Sequence, residues 1–269
     1  MAKRDLKNKI AIVTGASSGI GRVTALRLAQ EGAHLSLAAR RVELLEQVAR
    51  DIRDLGREAL VVPADVSQRD QVRELVERTV ERWGRVDVLI ANAGIYVRSP
   101  VKELTVEAVE RSMAVNFYGV VYGVLDVLPH MLARGSGHIV LVCSLDGRKG
   151  LPLDAPYVTA KFAMRGFGDV LRQELHGTGV GVSIIYPPRV DTPFIESLNM
   201  PWASPKMDPG RVADIIVGAI RRQRAEVVMG FWPRMLDLLN VIAPRWADWF
   251  VRILNLEGCE VVSRTSDEV

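Results

Sequence analysis

The sequence predicts an α/β protein: a doubly wound parallel sheet of about seven strands with helices on both faces, extended towards the C-terminus by amphipathic helix. Three observations predict it. Short runs rich in Val and Ile alternate with long helical patterns. Those runs are apolar nearly throughout instead of alternating with polar residues, as expected of strands covered on both faces. Many of the helical patterns close on a glycine, at Gly32, Gly56, Gly84, Gly135 and Gly177, where a left-handed cap is wanted. Right-handed crossovers between such strands put ligands beyond their C-terminal ends.

The first strand is KIAIVT (9–14), and TGASSGIG (14–21) follows directly. Its glycines, Gly15, Gly19 and Gly21, have the spacing GxxxGxG. A strand that turns sharply into a helix there exposes backbone N–H groups to a pyrophosphate, so a dinucleotide is expected against Gly15, Ser17, Ser18, Gly19, Ile20 and Gly21. The second strand, HLSLAA (34–39), ends on Arg40 and Arg41, with no acid before Glu43. A carboxylate at this point would bind a ribose 2′-hydroxyl, whereas guanidinium pairs with a 2′-phosphate. The pattern favours NADP(H) and leaves NAD(H) as the alternative. ALVVP (59–63) and DVLIA (87–91) supply the third and fourth strands.

HIVLVC (138–143) is the fifth strand, and Ser144 leaves it thirteen positions before Tyr157. In YVTAK (157–161), Tyr157 and Lys161 are four apart and share one face of a helix. A phenol titrates near ~10 and is a poor acid–base group at neutral pH; an adjacent ammonium is expected to move it towards the working range. Ser144 can bond a substrate carbonyl. Asn116, in a long helical stretch upstream, is expected to hold a water that relays protons to Lys161. VGVSIIY (180–186) and EVVMG (226–230) complete the sheet.

These motifs, together with NAG (92–94) and PPRVDT (187–192), occur in an order that resembles the short-chain dehydrogenase/reductase family, over residues 8 to about 230. The resemblance implies a Rossmann-type fold and a catalytic tetrad of Asn116, Ser144, Tyr157 and Lys161. Tyr157 would exchange a proton with the substrate oxygen that Ser144 positions. Lys161 would bind the nicotinamide ribose and lower the tyrosine pKa. By the same resemblance Asp65 and Val66 contact adenine, Asn92, Ala93 and Gly94 border the cofactor, and Pro187 and Thr192 lie near the carboxamide. One departure stands out: the family's Pro-Gly is Pro187-Pro188 here, and a second proline fixes φ and restricts its neighbour.

Residues 194–207, FIESLNMPWASPKM, lie where the family has its substrate lid. Phe194, Leu198 and Trp202 are expected to contact an apolar carbonyl or alcohol. After residue 230 an amphipathic extension (231–256) is expected, and a tail over 257–269. In the extension Met235, Leu236, Leu238, Leu239 and Ile242 form one stripe. Trp246, Trp249, Phe250, Ile253 and Leu254 form a second after Pro244, opposite Arg245, Asp248, Arg252 and Asn255. Five large apolar side chains left in water would forgo something on the order of 10 kcal/mol. That face is therefore expected to dock on its own subunit, on a second copy, or in a membrane interface.

The composition narrows the function classes. Net charge is only +3 and the basic residues are scattered, which argues against a nucleic-acid surface. The four histidines are isolated, and no metal site is expected. Cys143 and Cys259 form no spaced pair, the N-terminus lacks the pattern of a secretory signal, and no uncharged apolar run has spanning length. A cytoplasmic protein is the expectation, with a peripheral membrane position through 231–256 as its variant and a homodimer or homotetramer as the assembly. Two alternatives remain to the alcohol–carbonyl oxidoreductase: a soluble 3-oxoacyl-thioester reductase, and a catalytically silent nucleotide sensor.

Overall fold

The computed structural model describes residues 4–196, 198–199 and 204–260. In chain order the elements are β1 (Ile10–Thr14), α1 (Gly19–Gln30), β2 (His34–Ala39), α2 (Val42–Asp54), β3 (Ala59–Pro63), α3 (Arg69–Trp83) and β4 (Val88–Ala91). Then follow α4 (Val106–Met113), α5 (Gly119–Ala133), β5 (Gly137–Val142), α6 (Ala155–Glu174), β6 (Val180–Tyr186), β7 (Leu198–Asn199) and α7 (Pro209–Arg222). The chain closes with β8 (Glu226–Val228), α8 (Phe231–Ile242), α9 (Pro244–Ile253) and β9 (Cys259–Glu260).

All seven expected strands enter one sheet, in the order β3-β2-β1-β4-β5-β6-β8 and parallel throughout. The order reverses between β1 and β4, and the crevice above that switch point is where a doubly wound sheet binds its ligand. The apolar runs are explained by burial on two sides. Ala11 and Val13 of β1 face the layer of α1, α2 and α7, packing with Leu28, Leu45, Ile52, Ile216 and Ile220. Ile12 faces the layer of α3, α5 and α6, with Leu75, Val124, Val127, Met131 and Met164. The glycine caps behave as the sequence indicates: Gly84 ends α3 at φ 71°, a conformation that would strain a residue with a Cβ.

Two features differ from the sequence pattern. α4 and α5 run together through a π-helical turn, Ala114–Tyr118, which carries Asn116. The continuous helix Val106–Ala133 is long and apolar enough to cross a membrane, yet here it packs against α3 and α6 as a layer of the domain. Residues 257–260, expected at the start of a tail, are attached: β9 pairs antiparallel with β7, and Arg98 donates to the carbonyls of Glu257 (3.1 Å) and Gly258 (3.4 Å).

Candidate active site

The crevice at the switch point is shaped first by Thr14. Its hydroxyl oxygen accepts the backbone N–H groups of Asn92 (3.0 Å) and Ala93 (3.1 Å), tying the end of β1 to the loop after β4. Gly15 has φ 67°, and a Cβ there would lie 2.9 Å from the Ala93 backbone. A Cβ on Gly21 would come 2.2 Å from the carbonyl oxygen of Gly15, so only glycine lets α1 start this close to the strand. The N-terminus of α1, at Gly19 and Ile20, lines the cleft with Gly15, Ser17 and Ser18. Its unpaired N–H groups and its dipole favour an anion there.

At the same end of the cleft lie Arg40, Arg41, Asp65 and Val66. The Arg41 guanidinium donates to the hydroxyls of Ser17 (3.2 Å) and Ser18 (2.8 Å), bridging the second strand to the glycine loop. No carboxylate follows β2; the nearby Asp65 carboxylate is held by the backbone N–H (3.0 Å) and hydroxyl (2.7 Å) of Ser67. Two guanidinium groups, two hydroxyls and a helix N-terminus form a donor set that fits a phosphate-bearing dinucleotide.

At the other end the fifth strand and α6 converge. Pro156 sits in the first turn of α6, where its missing N–H costs nothing, and Tyr157 and Lys161 follow on one face. The Lys161 ammonium donates to the carbonyl of Val142 (3.0 Å) and lies 5.5 Å from the centre of the Tyr157 ring. Ser144 begins a short 3₁₀ turn, Leu145–Gly147. Its hydroxyl accepts the Asp146 N–H (3.1 Å) and donates to the Asp146 carboxylate (3.0 Å).

The electrostatics correct one expectation. Burial pushes the Tyr157 phenol well above its ordinary value; the Asp146 carboxylate adds to this and the Ser144 hydroxyl opposes it. The ammonium does not prevail, because burial also pulls Lys161 down and one of its donors is spent on Val142. Tyr157 is therefore protonated at neutral pH. Burial, reinforced by Asp154, pushes Asp146 up to about 6, against the pull of Ser144, Arg189 and Lys161.

Asn116 is brought near but does not line the cleft. Its amide oxygen accepts the Ile95 N–H (3.1 Å), and its amide nitrogen donates to the Ile95 carbonyl (2.9 Å) and to the Ser112 hydroxyl (3.1 Å). Both amide hydrogens are thus committed. The π-helical turn, a distortion common at functional sites, puts this side chain onto the loop after β4.

The substrate side is aromatic. Tyr96 meets Tyr157 edge to face with centroids 5.1 Å apart, and Phe194 lies 5.7 Å from Tyr96 and 5.8 Å from Tyr157. Thr192 sits over the glycine loop, its methyl carbon 3.1 Å from where a Gly19 Cβ would be. The double proline thus leaves Thr192 on the cleft, while the Pro187 carbonyl accepts the Leu145 N–H (3.0 Å). Met207 is no part of a lid; its backbone pairs with Arg189 and Asp191 and its side chain packs on the α1–α2–α7 core. The side chain of Leu198 and all of Trp202 lie outside the described residues.

Several residues on this cleft carry no motif. Asp146 was legible only as a carboxyl two positions after Ser144. Tyr96 donates to Asp154 (2.7 Å), which also pairs with Arg98 (3.0 Å) in a buried cluster. Pro233 reaches the cleft from α8, a contribution no local pattern announces.

Comparison with known proteins agrees with this geometry. The family model described as short chain dehydrogenase matches residues 9–201. An uncharacterized oxidoreductase of Listeria monocytogenes is 40% identical over 226 residues, covering 80% of this chain and 91% of the relative. A fatty acyl-CoA reductase of Acinetobacter baylyi is 35% identical over 246 residues, covering 90% and 82%. Among solved structures, an alcohol dehydrogenase from the archaeon Thermococcus sibiricus, complexed with 5-hydroxy-NADP, superposes with a TM-score of 0.76 at 29% identity, covering 83% of this chain and 96% of that one.

Proposed function

The chain belongs to the short-chain dehydrogenase/reductase family of oxidoreductases, and we propose that it is an NADP(H)-dependent member interconverting an alcohol with a ketone or aldehyde on a lipophilic substrate. The observation that carries the reading is the single cleft with the glycine loop, Arg40 and Arg41 at one end and Ser144, Tyr157 and Lys161 at the other. The NADP derivative in the Thermococcus sibiricus enzyme supports the cofactor, and the acyl-CoA reductase of Acinetobacter baylyi supports a lipid-like substrate. So does the aromatic triangle that Tyr96 and Phe194 form with Tyr157 on the cleft.

In this reading Gly15, Ser17, Ser18, Gly19 and Ile20 hold the pyrophosphate, Arg40 and Arg41 the 2′-phosphate, and Asp65 and Val66 border the adenine. Asn92, Ala93, Gly94, Pro187 and Thr192 line the nicotinamide end with Lys161. A bound nicotinamide cofactor supplies or accepts the hydride. The chain's own residues handle the proton. In reduction, Tyr157 Oη–H donates its proton to the carbonyl oxygen as the C=O π bond breaks and C–H and O–H bonds form. The phenol carries its proton at neutral pH, as a general acid requires, and the NADP(H) preference supports reduction as the working direction. Ser144 Oγ positions the substrate oxygen. Exposed Leu125, Phe162 and Val170 on α5 and α6 support assembly as a homodimer or homotetramer through those helices.

The test is NADPH and NADH oxidation across aliphatic, steroidal, retinoid and sphingoid carbonyls, with two variants. Tyr157→Phe should lower kcat by at least about 10²-fold. Arg40→Asp should weaken NADPH far more than NADH. Unchanged turnover by Tyr157→Phe sinks the mechanism, and equal losses for the two cofactors sink the 2′-phosphate site.

A further inference from the structure

The extension is tied to the domain by a few polar side chains and leaves most of its large apolar ones uncovered. Arg148 donates to Asp237 (2.8 Å) and to Glu226 (3.0 Å). Lys149 bonds Asn240 of α8 (3.0 Å) and also Asp248 of α9, so one buried ammonium pins both helices by their polar residues. Only Ala247 and Val251 of α9 are buried, and no residue of α8 is. The large apolar residues point out: Trp232 is 76% exposed, Ile242 73% and Trp246 61%, joined by Phe231, Met235, Leu238, Val241, Trp249, Phe250 and Ile253. Among the described residues the chain's own domain leaves most of these large apolar side chains uncovered.

We propose that this face seats the protein on the surface of an anionic lipid bilayer. The charges sort accordingly. Residues 231–256 hold three Arg and two Asp; Asp237 is turned inward onto Arg148, and the half-exposed Asp248 is paired with Lys149. The three arginines, Arg234, Arg245 and Arg252, stay exposed, whereas the one partly exposed acid, Asp248, is already matched by Lys149. Tryptophan and phenylalanine beside arginine form the composition that lies at a headgroup boundary, rings in the acyl edge and guanidinium groups among phosphates. A second copy would bring its own three arginines against these, and like charges across an interface oppose it. The pad also adjoins the catalytic cleft. Pro233, next to Trp232 on α8, lines the cleft. A bilayer under the pad thus lies beside the entrance through which a lipophilic substrate would pass. Seating depends only on the exposed face; substrate delivery rests on the function proposed above.

The test uses the full chain and vesicle flotation with phosphatidylcholine alone and with phosphatidylcholine mixed with phosphatidylglycerol. The protein should float with the anionic vesicles and be released by salt. Arg245→Gln with Arg252→Gln should lower partitioning by roughly tenfold or more. Trp246→Ser, Trp249→Ser and Phe250→Ser combined should abolish it, and these exposed positions leave turnover of a small water-soluble carbonyl unchanged. Flotation that persists while no carbonyl is turned over would remove the proposed function and leave the lipid surface standing. The proposal is overturned if the wild-type protein stays unbound at every composition, or if the triple substitution instead converts a dimer to a monomer.

Discussion

Asp146 decides how the Ser144 hydroxyl is used. With the carboxyl ionised, the single O–H of Ser144 points at Asp146, and in the proposed mechanism it is then withheld from the substrate oxygen. Burial puts that titration at about 6. The value lies above the ordinary carboxylate value of 3.8, so the folded state takes up the proton as pH falls through about 6 and Ser144 becomes free to donate. Carbonyl reduction should therefore show kcat/KM rising as pH drops through about 6, and Asp146→Asn should erase that inflection. A wild-type profile flat between pH 5 and 7 would refute the coupling. In stability the sign is the same. Asp146 favours the fold below the unfolded value of 3.8, and this contribution is lost as pH rises through about 6.

At the scale of elements, α8 and α9 have a hydrophobic periodicity that a sequence reads as helix, while leaving open whether the apolar face docks on its own subunit, a second copy or a membrane. Ion pairs at Arg148 and Lys149 set the orientation, because two acids match two basic residues of the loop after β5. Lys149→Met removes the ammonium shared by Asn240 and Asp248. Limited proteolysis within 231–256 should accelerate severalfold, while the melting of the sheet domain changes little. Unchanged cleavage would show that other contacts hold the helices.

Across the whole molecule the cleft and the extension are joined by a buried cluster. Asp154 is fully buried and accepts from Tyr96 and Arg98, and the same Arg98 reaches the carbonyls of Glu257 and Gly258. Tyr96 in turn packs on Tyr157. The Arg189 guanidinium, beside the double proline, bonds the Leu256 carbonyl as a second tie. Arg98→Met leaves Asp154 with only Tyr96 as partner, and removing one member of a buried ion pair costs about 3–5 kcal/mol. Urea unfolding should show a loss of that order, together with a raised KM for bulky carbonyls. A near-wild-type midpoint would mean that Tyr96 alone satisfies Asp154.

The sequence by itself determined the seven strands, the glycine loop and the convergence of Ser144, Tyr157 and Lys161, because each rests on local chemistry. Burial on two faces requires continuous apolar runs, a tight strand-to-helix turn requires Gly15 and Gly21, and a helix places residues four apart together. Only the tertiary structure decided what depends on distant partners. It committed Asn116 to Ile95 and gave Asp146 command of Ser144. It raised the Tyr157 phenol above its ordinary value by burial where a neighbouring ammonium alone predicts a fall. It also turned the tryptophans of the extension outward, since the orientation of an amphipathic helix is fixed by whichever face finds the stronger partners, and here those were Arg148 and Lys149.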